Sequence, residues 1–338
     1  MKMKVAILEK LNAPLVIDEL EIPTLKCGQV LVKVCASGVC GKQIGEISGH
    51  YGEDKFLPHL FGHEGGGVVQ AIGSGVTQVK KDDYVVMHWR KGRGIEADFP
   101  RYKRGDGYVG AGKITTFSEF AVVSENRLTR IGDDIPFEIA ALMGCAVTTG
   151  LGLVNNEAQL KIGQSIAVIG CGGIGLNIIQ GAAMVSAYPI IAIDIYESKL
   201  NMAQKFGATH YCLMGDLSQS DLESYDIVVD CTGKVNCIET AYRLTAPGGK
   251  TIMVGQPRYD QDLTFPSVAQ NFTGKTLIDS QGGLTNPPVD ILRYLELYRK
   301  GRLKLDDLIT HRYPLDKVNE AIETVKSGKA GRVVLEMK

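Results

Sequence analysis

At 338 residues the chain exceeds the usual size of one domain, and two domains are the first expectation. Its 37 Lys and Arg nearly balance 38 Asp and Glu, and a formal charge of −1 gives a phosphate backbone little to bind, which argues against a nucleic-acid partner. No apolar run approaches the roughly 18 residues that span a bilayer, and the opening MKMKVAILEK alternates like a strand without a signal-peptide core, so the expectation is a cytoplasmic protein with no membrane partner.

From the N-terminus to about residue 130, short strand patterns (VLVKV, GGVVQAI, YVVMHW, FAVV) alternate with Gly-rich and charged turns and predict an irregular, β-rich lobe. The eight cysteines lie mostly in apolar runs such as LVKVC and IVVDC and contain no C-x-x-C pair. Zinc ribbons and thioredoxin-type motifs are thereby excluded, and most of these residues read as buried thiols.

The helical stretch 137–155 is expected to carry the crossing between lobes. From Ser165 the texture changes to SIAVIG, GIGLNIIQGAAMV, PIIAID, YESKLNMAQKFGA, YDIVVDC, a helix near 237–244 and KTIMVG. Apolar strands alternating with amphipathic helices predict a doubly wound parallel sheet covered on both faces, an α/β arrangement. The tail from about Leu303 ends in GRVVLEM and is expected to return to the first lobe. The expected domains are 1–150 with 300–338, and 151–299.

After the strand SIAVI come Gly170, Cys171, Gly172, Gly173, Ile174 and Gly175 at the start of a helix. Glycines at this spacing permit a tight turn, close approach of backbone to a pyrophosphate and close packing of helix on strand. A second strand ends in Asp194, about 20 residues on, where a carboxylate accepts from ribose hydroxyls and repels a 2′-phosphate. NAD is thus favoured over NADP, and Ile195 and Tyr196, where an arginine would suit the phosphate, agree with that.

Three further segments offer soft or imidazole ligands: Cys40 in SGVCG, His63 with Glu64 in LFGHEGGG, and Cys145 in LMGCAVTTG. A catalytic zinc takes three such protein ligands and keeps a fourth position open. Taken singly, each residue is more often structural.

In this order, V-C-G, G-H-E-G-x-G, G-C-x-x-T-T-G, G-x-G-G-x-G and a closing G-R-V-V strand, the chain resembles the zinc-dependent alcohol dehydrogenases of the medium-chain dehydrogenase/reductase superfamily over nearly its whole length. The resemblance implies a GroES-like, β-rich catalytic domain plus a Rossmann NAD-binding domain. It implies one catalytic zinc on Cys40, His63 and Cys145, with Glu64 beside the metal as a supporting carboxylate or an occasional fourth ligand. Thr149 would lie against the nicotinamide. Gly170, Gly172, Gly173, Ile174, Gly175, Asp194 and Lys199 would bind NAD, and Arg332 its pyrophosphate. Its chemistry would be hydride transfer between a small alcohol or polyol and NAD, with the metal polarising the substrate oxygen. Relatives of this kind imply a homodimer or homotetramer.

Two departures from the family pattern stand out. Many relatives hold a structural zinc on four closely spaced cysteines after the strand that here reads DDYVVMHW, whereas Met87 to Phe117 contains no cysteine, so one metal per chain is expected. Family members also place Ser or Thr two residues after the first zinc cysteine, as a proton relay, and often Asp next, to steady the zinc histidine. Here those positions hold Lys42 and Gln43. Lys42 is either a relay, an anchor for a substrate anion, a solvated lysine at the start of a helical turn, or one that merely meets the NAD phosphates. His88, Trp89 and Arg90 lie where relatives form the substrate pocket, and the basic run to Arg93 suggests a polyhydroxylated or anionic substrate, sugar-derived or phosphorylated. A zinc-free enone or quinone reductase of the same fold, and a non-catalytic NAD-binding protein, are the competing readings; a glutathione-dependent formaldehyde enzyme is disfavoured, because that class of relatives normally has the structural zinc.

Overall fold

The computed structural model describes residues 1–265 and 272–337. The chain divides into two compact units, Met1–Thr148 with Asn286–Lys338, and Thr149–Thr285. Residues 266–271 and 338, which the expected domain ranges take in, lie outside the described residues.

The first unit is built on the long strand Gln29–Val39. Its period-two alternation serves two cores at once. Val30, Val32 and Val34 join Val69, Val85, Met87 and Val123 on one side. Leu31 joins Met3, Val5, Ile7, Tyr102 and Val122 on the other. Glu64–Ile72, Phe120–Ser124 and Arg332–Glu336 all pair antiparallel with this strand, so the C-terminal strand closes the lobe that the N-terminus opens. The sheet extends outward through Tyr84–His88 and Leu128–Ile131 on one side and Ile309–Pro314 on the other. A five-stranded sheet built on Lys2–Leu8 and Val16–Glu21 completes the unit.

The glycine run in Glu64–Ile72 has a specific packing role. A Cβ on Gly66 would run into the Phe137 carbonyl and lie 2.8 Å from Ala140 Cβ, so only glycine lets helix Phe137–Met143 lie directly on this strand. That helix delivers Cys145, two residues past its end, to the strand that follows His63.

The second unit is a six-stranded, wholly parallel sheet in the order His210–Leu213, Ile190–Asp194, Ile166–Ile169, Tyr225–Asp230, Thr245–Met253, Thr276–Asp279. Helices Gly173–Met184, Glu197–Lys205 and Val235–Leu244 connect these strands. The first strand, Ile166–Ile169, lies between the second and the fourth, so the winding reverses direction at its C-terminal end, where open α/β sheets bind ligands.

The second crossing between units falls between Thr285 and Asn286. Helix Pro287–Arg299 goes with the first unit because it packs on Leu128–Ile131 and because Arg299 donates to both oxygens of Asp134, at 2.6 and 2.8 Å. Among the described residues no single helix is long and apolar enough to cross a membrane, and the bent pair Phe137–Met143 with Ala146–Ala158, which reaches that composition jointly, is largely buried.

Candidate metal centre and dinucleotide loop

Each candidate ligand sits at the end of a rigid element. Cys40 is the N-cap of helix Gly41–Ile47, directly after the long strand. His63 follows Gly62, whose φ of +90° is strained for any residue with a Cβ, and precedes strand Glu64–Ile72. Cys145 follows Gly144, where a Cβ would run into the Met87 carbonyl. One ligand atom from each of Cys40, His63 and Cys145 lies within 4.8 Å of the other two.

That spacing suits zinc. Bonds of about 2.3 Å to sulfur and about 2.0 Å to nitrogen put tetrahedral ligand atoms about 3.5–4 Å apart. The Cys40 thiol is held well below its ordinary range, chiefly by hydrogen bonding with Cys145 and then by His63 and the Arg332 charge, against the opposing effect of burial. A buried thiol poised as thiolate is what a metal ligand requires.

Glu64 is not among the clustered atoms. It is fully buried, its Oε1 accepts from Arg332 Nη2, and its Oε2 lies 3.4 Å from the Ala146 N–H. Arg332, expected at the pyrophosphate, is itself 4% exposed and engaged by this carboxylate, since two buried opposite charges neutralise one another.

Gln43 has no role in the sequence argument beyond replacing an acid. In the structure it is fully buried, its Oε1 accepts from the Cys40 N–H at 2.7 Å, and its Nε2 lies 2.7 Å from His63 Nδ1. The capping position three residues after Cys40 was the available signal.

Lys42 is half-exposed and already engaged. Its ammonium lies 3.4 Å from Glu46 Oε1, one helical turn on, and 4.0 Å from the centre of the Tyr51 ring. The Tyr51 hydroxyl is pushed up to about 12 by burial and by the nearby Glu46 and Cys40.

The expected pocket residues divide. His88 is 1% exposed, with Nδ1 2.6 Å from the Arg90 carbonyl and Nε2 3.0 Å from Thr129 Oγ1, and burial pulls its pKa down to about 4. It is a core histidine, because it is the last residue of strand Tyr84–His88 and points into the lobe. Trp89 is half-buried and carries the Arg90 guanidinium 5.7 Å from its ring centre. The basic run is neutralised in part by Glu96, which Lys91 approaches at 3.8 Å and which accepts from buried Arg127.

In the second unit the loop fits a dinucleotide on its own geometry. Gly170 has φ +93°, and a Cβ on Gly175 would run into the Gly170 carbonyl, whereas a Cβ on Gly172 would meet nothing. The first two features hold the turn and the helix start, and the open face at Gly172 leaves room for a phosphate at the N-terminus of helix Gly173–Met184. Asp194 ties the second strand to this loop: its Oδ2 accepts from the Cys171 N–H at 2.8 Å, and its Oδ1 from those of Ile195 and Tyr196. Lys199 is 4% exposed, its pKa lowered by burial against the opposing pull of Asp194. Thr149 is buried on helix Ala146–Gly152.

The chain matches the alcohol dehydrogenase GroES-like domain over residues 26–133 and the zinc-binding dehydrogenase domain over residues 173–296. It is 33% identical to an S-(hydroxymethyl)glutathione dehydrogenase of Haemophilus influenzae, across 96% of this chain and 94% of the relative. It is 30% identical to the NDMA-dependent alcohol dehydrogenase of Amycolatopsis methanolica, across 99% of both. The solved structure of benzyl alcohol dehydrogenase from Acinetobacter calcoaceticus superposes over the whole of both chains with a TM-score of 0.91 at 25% identity. Fold, ligand cluster and relatives together define a zinc- and NAD-linked oxidoreductase acting on alcohols. The chain belongs to the zinc-dependent alcohol dehydrogenases of the medium-chain dehydrogenase/reductase superfamily.

Proposed function

We propose that Cys40, His63 and Cys145 hold the zinc, that the loop from Gly170 to Gly175 with Asp194 holds NAD, and that the substrate is a small neutral alcohol or polyol. The observation that carries this reading is the convergence of two thiols and an imidazole within 4.8 Å in a chain of this family. Bound there, zinc supplies Lewis acidity toward a substrate oxygen, and NAD accepts or donates the hydride.

The residues of the chain do the rest. The N-cap turn at Cys40 and the close packing at Gly66 and Gly144 fix the ligands in advance, so that little is lost in ordering them. Asp194 shapes the loop through three backbone N–H groups and presents a negative charge where a 2′-phosphate would sit, which favours NAD over NADP. Neutral substrates are favoured because Lys42, two residues past Cys40, is already engaged by Glu46 and Tyr51.

A homodimer or homotetramer in the cytoplasm is the expected form of the enzyme. The half-exposed strand Thr276–Asp279, which ends the sheet among the described residues, supports an oligomer, since an edge strand can pair with that of a second copy. None of the eight cysteines is joined in a disulfide, which supports a reducing compartment such as the cytoplasm.

The test is metal analysis of the purified protein followed by a screen of alcohols, polyols and sugar phosphates with NAD, read as NADH formation. One zinc per chain, lost in Cys145→Ser together with turnover, is the expected result. Stoichiometric NAD-linked turnover without zinc, or zinc retained in Cys145→Ser, overturns the assignment.

A further inference from the structure

Gln43 touches two of the three candidate ligands, and its valence decides how it can do so. The Cys40 N–H can only donate, so the carboxamide oxygen faces it at 2.7 Å and the NH2 faces His63 Nδ1 at 2.7 Å. An NH2 group also only donates. His63 Nδ1 must therefore present its lone pair, and the proton of the neutral ring then sits on Nε2.

With Nδ1 occupied by Gln43, Nε2 is the nitrogen left for a metal, and a metal needs a lone pair there. One neutral imidazole cannot satisfy both. Metal on Nε2 moves the proton to Nδ1, where it meets the Gln43 NH2 donor against donor. Turning the amide over only transfers the conflict to the Cys40 N–H. Gln43 is fully buried, so no outside group relieves it.

We propose that Gln43 is a positioning residue that stabilises the His63 tautomer opposed to metal binding, so that this centre holds zinc more weakly than its three ligands alone would allow. A carboxylate at position 43 accepts from both donors, one with each oxygen, and removes the conflict. The proposal rests on the reading of Cys40, His63 and Cys145 as the zinc centre.

Two measurements on the full chain test it. The first is competition for zinc between the loaded protein and a chromophoric chelator, comparing wild type with Gln43→Glu. The variant is expected to hold zinc about 10–100-fold more tightly, the size of effect that partners of metal-bound histidines exert. Equal or weaker retention overturns the proposal.

The second measurement is the nitrogen NMR signature of His63 in selectively labelled, metal-free protein. Wild type is expected to carry its ring proton on Nε2 and Gln43→Glu on Nδ1; a wild-type ring protonated on Nδ1 overturns the proposal, even if the variant fails to fold. The metal reading fails separately. If wild-type zinc stoichiometry does not change in Cys145→Ser, the metal assignment falls, whereas the metal-free NMR result is unaffected.

Discussion

Arg332 donates through Nη2 to Glu64 Oε1, and the two side chains are 5% and 0% exposed. They join the C-terminal strand to the strand that follows His63, across 268 positions of sequence. Removing one member leaves the other charge buried without a partner, which costs about 3–5 kcal/mol, whereas removing both can be nearly neutral. Glu64→Gln and Arg332→Met are each expected to lower the urea midpoint of the zinc-loaded protein strongly. The double variant should recover much of that loss. Additive losses in the double variant would show that the pair does not act as one unit.

The glycines of the dinucleotide loop should separate fold from binding. Gly175→Ala places a methyl group against the Gly170 carbonyl, so both thermal stability and NADH affinity are expected to fall. Gly172→Ala meets no protein atom, so the midpoint of unfolding should stay within about 1 °C, a shift worth about 0.7 kcal/mol in a chain of this length. NADH affinity should nonetheless drop, because the new methyl occupies the open face. Titration by NADH fluorescence beside a thermal melt checks both; unchanged affinity in Gly172→Ala would remove this face from the cofactor site.

The parallel sheet was legible because its strands are continuous apolar runs and its first turn carries three spaced glycines. The three ligand segments were legible for a similar reason: each is a short local pattern with a glycine beside the ligand. What the residues do to one another was not legible. The Glu64–Arg332 pair, the Gln43–His63 contact and the burial of His88 depend on which strands become neighbours, and no local periodicity carries that. Lys42 shows the difference at close range. The sequence leaves its charge unassigned, and only the placement of the Tyr51 ring beside Glu46 shows that it is engaged.

The engagement of Lys42 has a kinetic consequence. If Glu46 and Tyr51 hold its charge, Lys42→Met should change kcat/KM for neutral polyols and for their phosphates by similar factors, within about threefold, or roughly 0.7 kcal/mol. Glu46→Gln, by contrast, frees the ammonium and should improve the phosphorylated substrate relative to the neutral one. A selective loss of the phosphorylated substrate in Lys42→Met would instead make this lysine an anion anchor.

The segment from Met87 to Phe117, where relatives carry structural zinc, is held here by a buried carboxylate. Glu125 is 1% exposed and accepts from the backbone N–H groups of Thr77, Gln78 and Ile95 at 2.9–3.0 Å. Glu125→Ala removes the shared acceptor of these three donors, two of which water can reach, and should destabilise the protein by about 1–3 kcal/mol. Protease cleavage in the 90–100 stretch should rise in the variant. Adding excess zinc should not restore protection, because no thiol lies in this stretch to bind it.

His88 sets a pH dependence whose sign follows from its burial. In the folded chain its pKa is pulled down to about 4, against about 6.5 when unfolded. Above pH 6.5 the ring is neutral in both states and its contribution to stability is fully present. As pH falls from 6.5 toward 4 only the unfolded chain takes up the proton, and stability is lost at about 1.4 kcal/mol per pH unit, about 3 kcal/mol in all. A His88→Gln variant lacks this titration but keeps an amide able to reach Thr129 or the Arg90 carbonyl. The melting-temperature advantage of wild type over the variant should therefore shrink steadily between pH 7 and pH 5, with metal loading and all other titrating groups common to both proteins. An advantage that stays constant over that interval would mean that His88 becomes protonated within the fold, and the burial argument for it would fail.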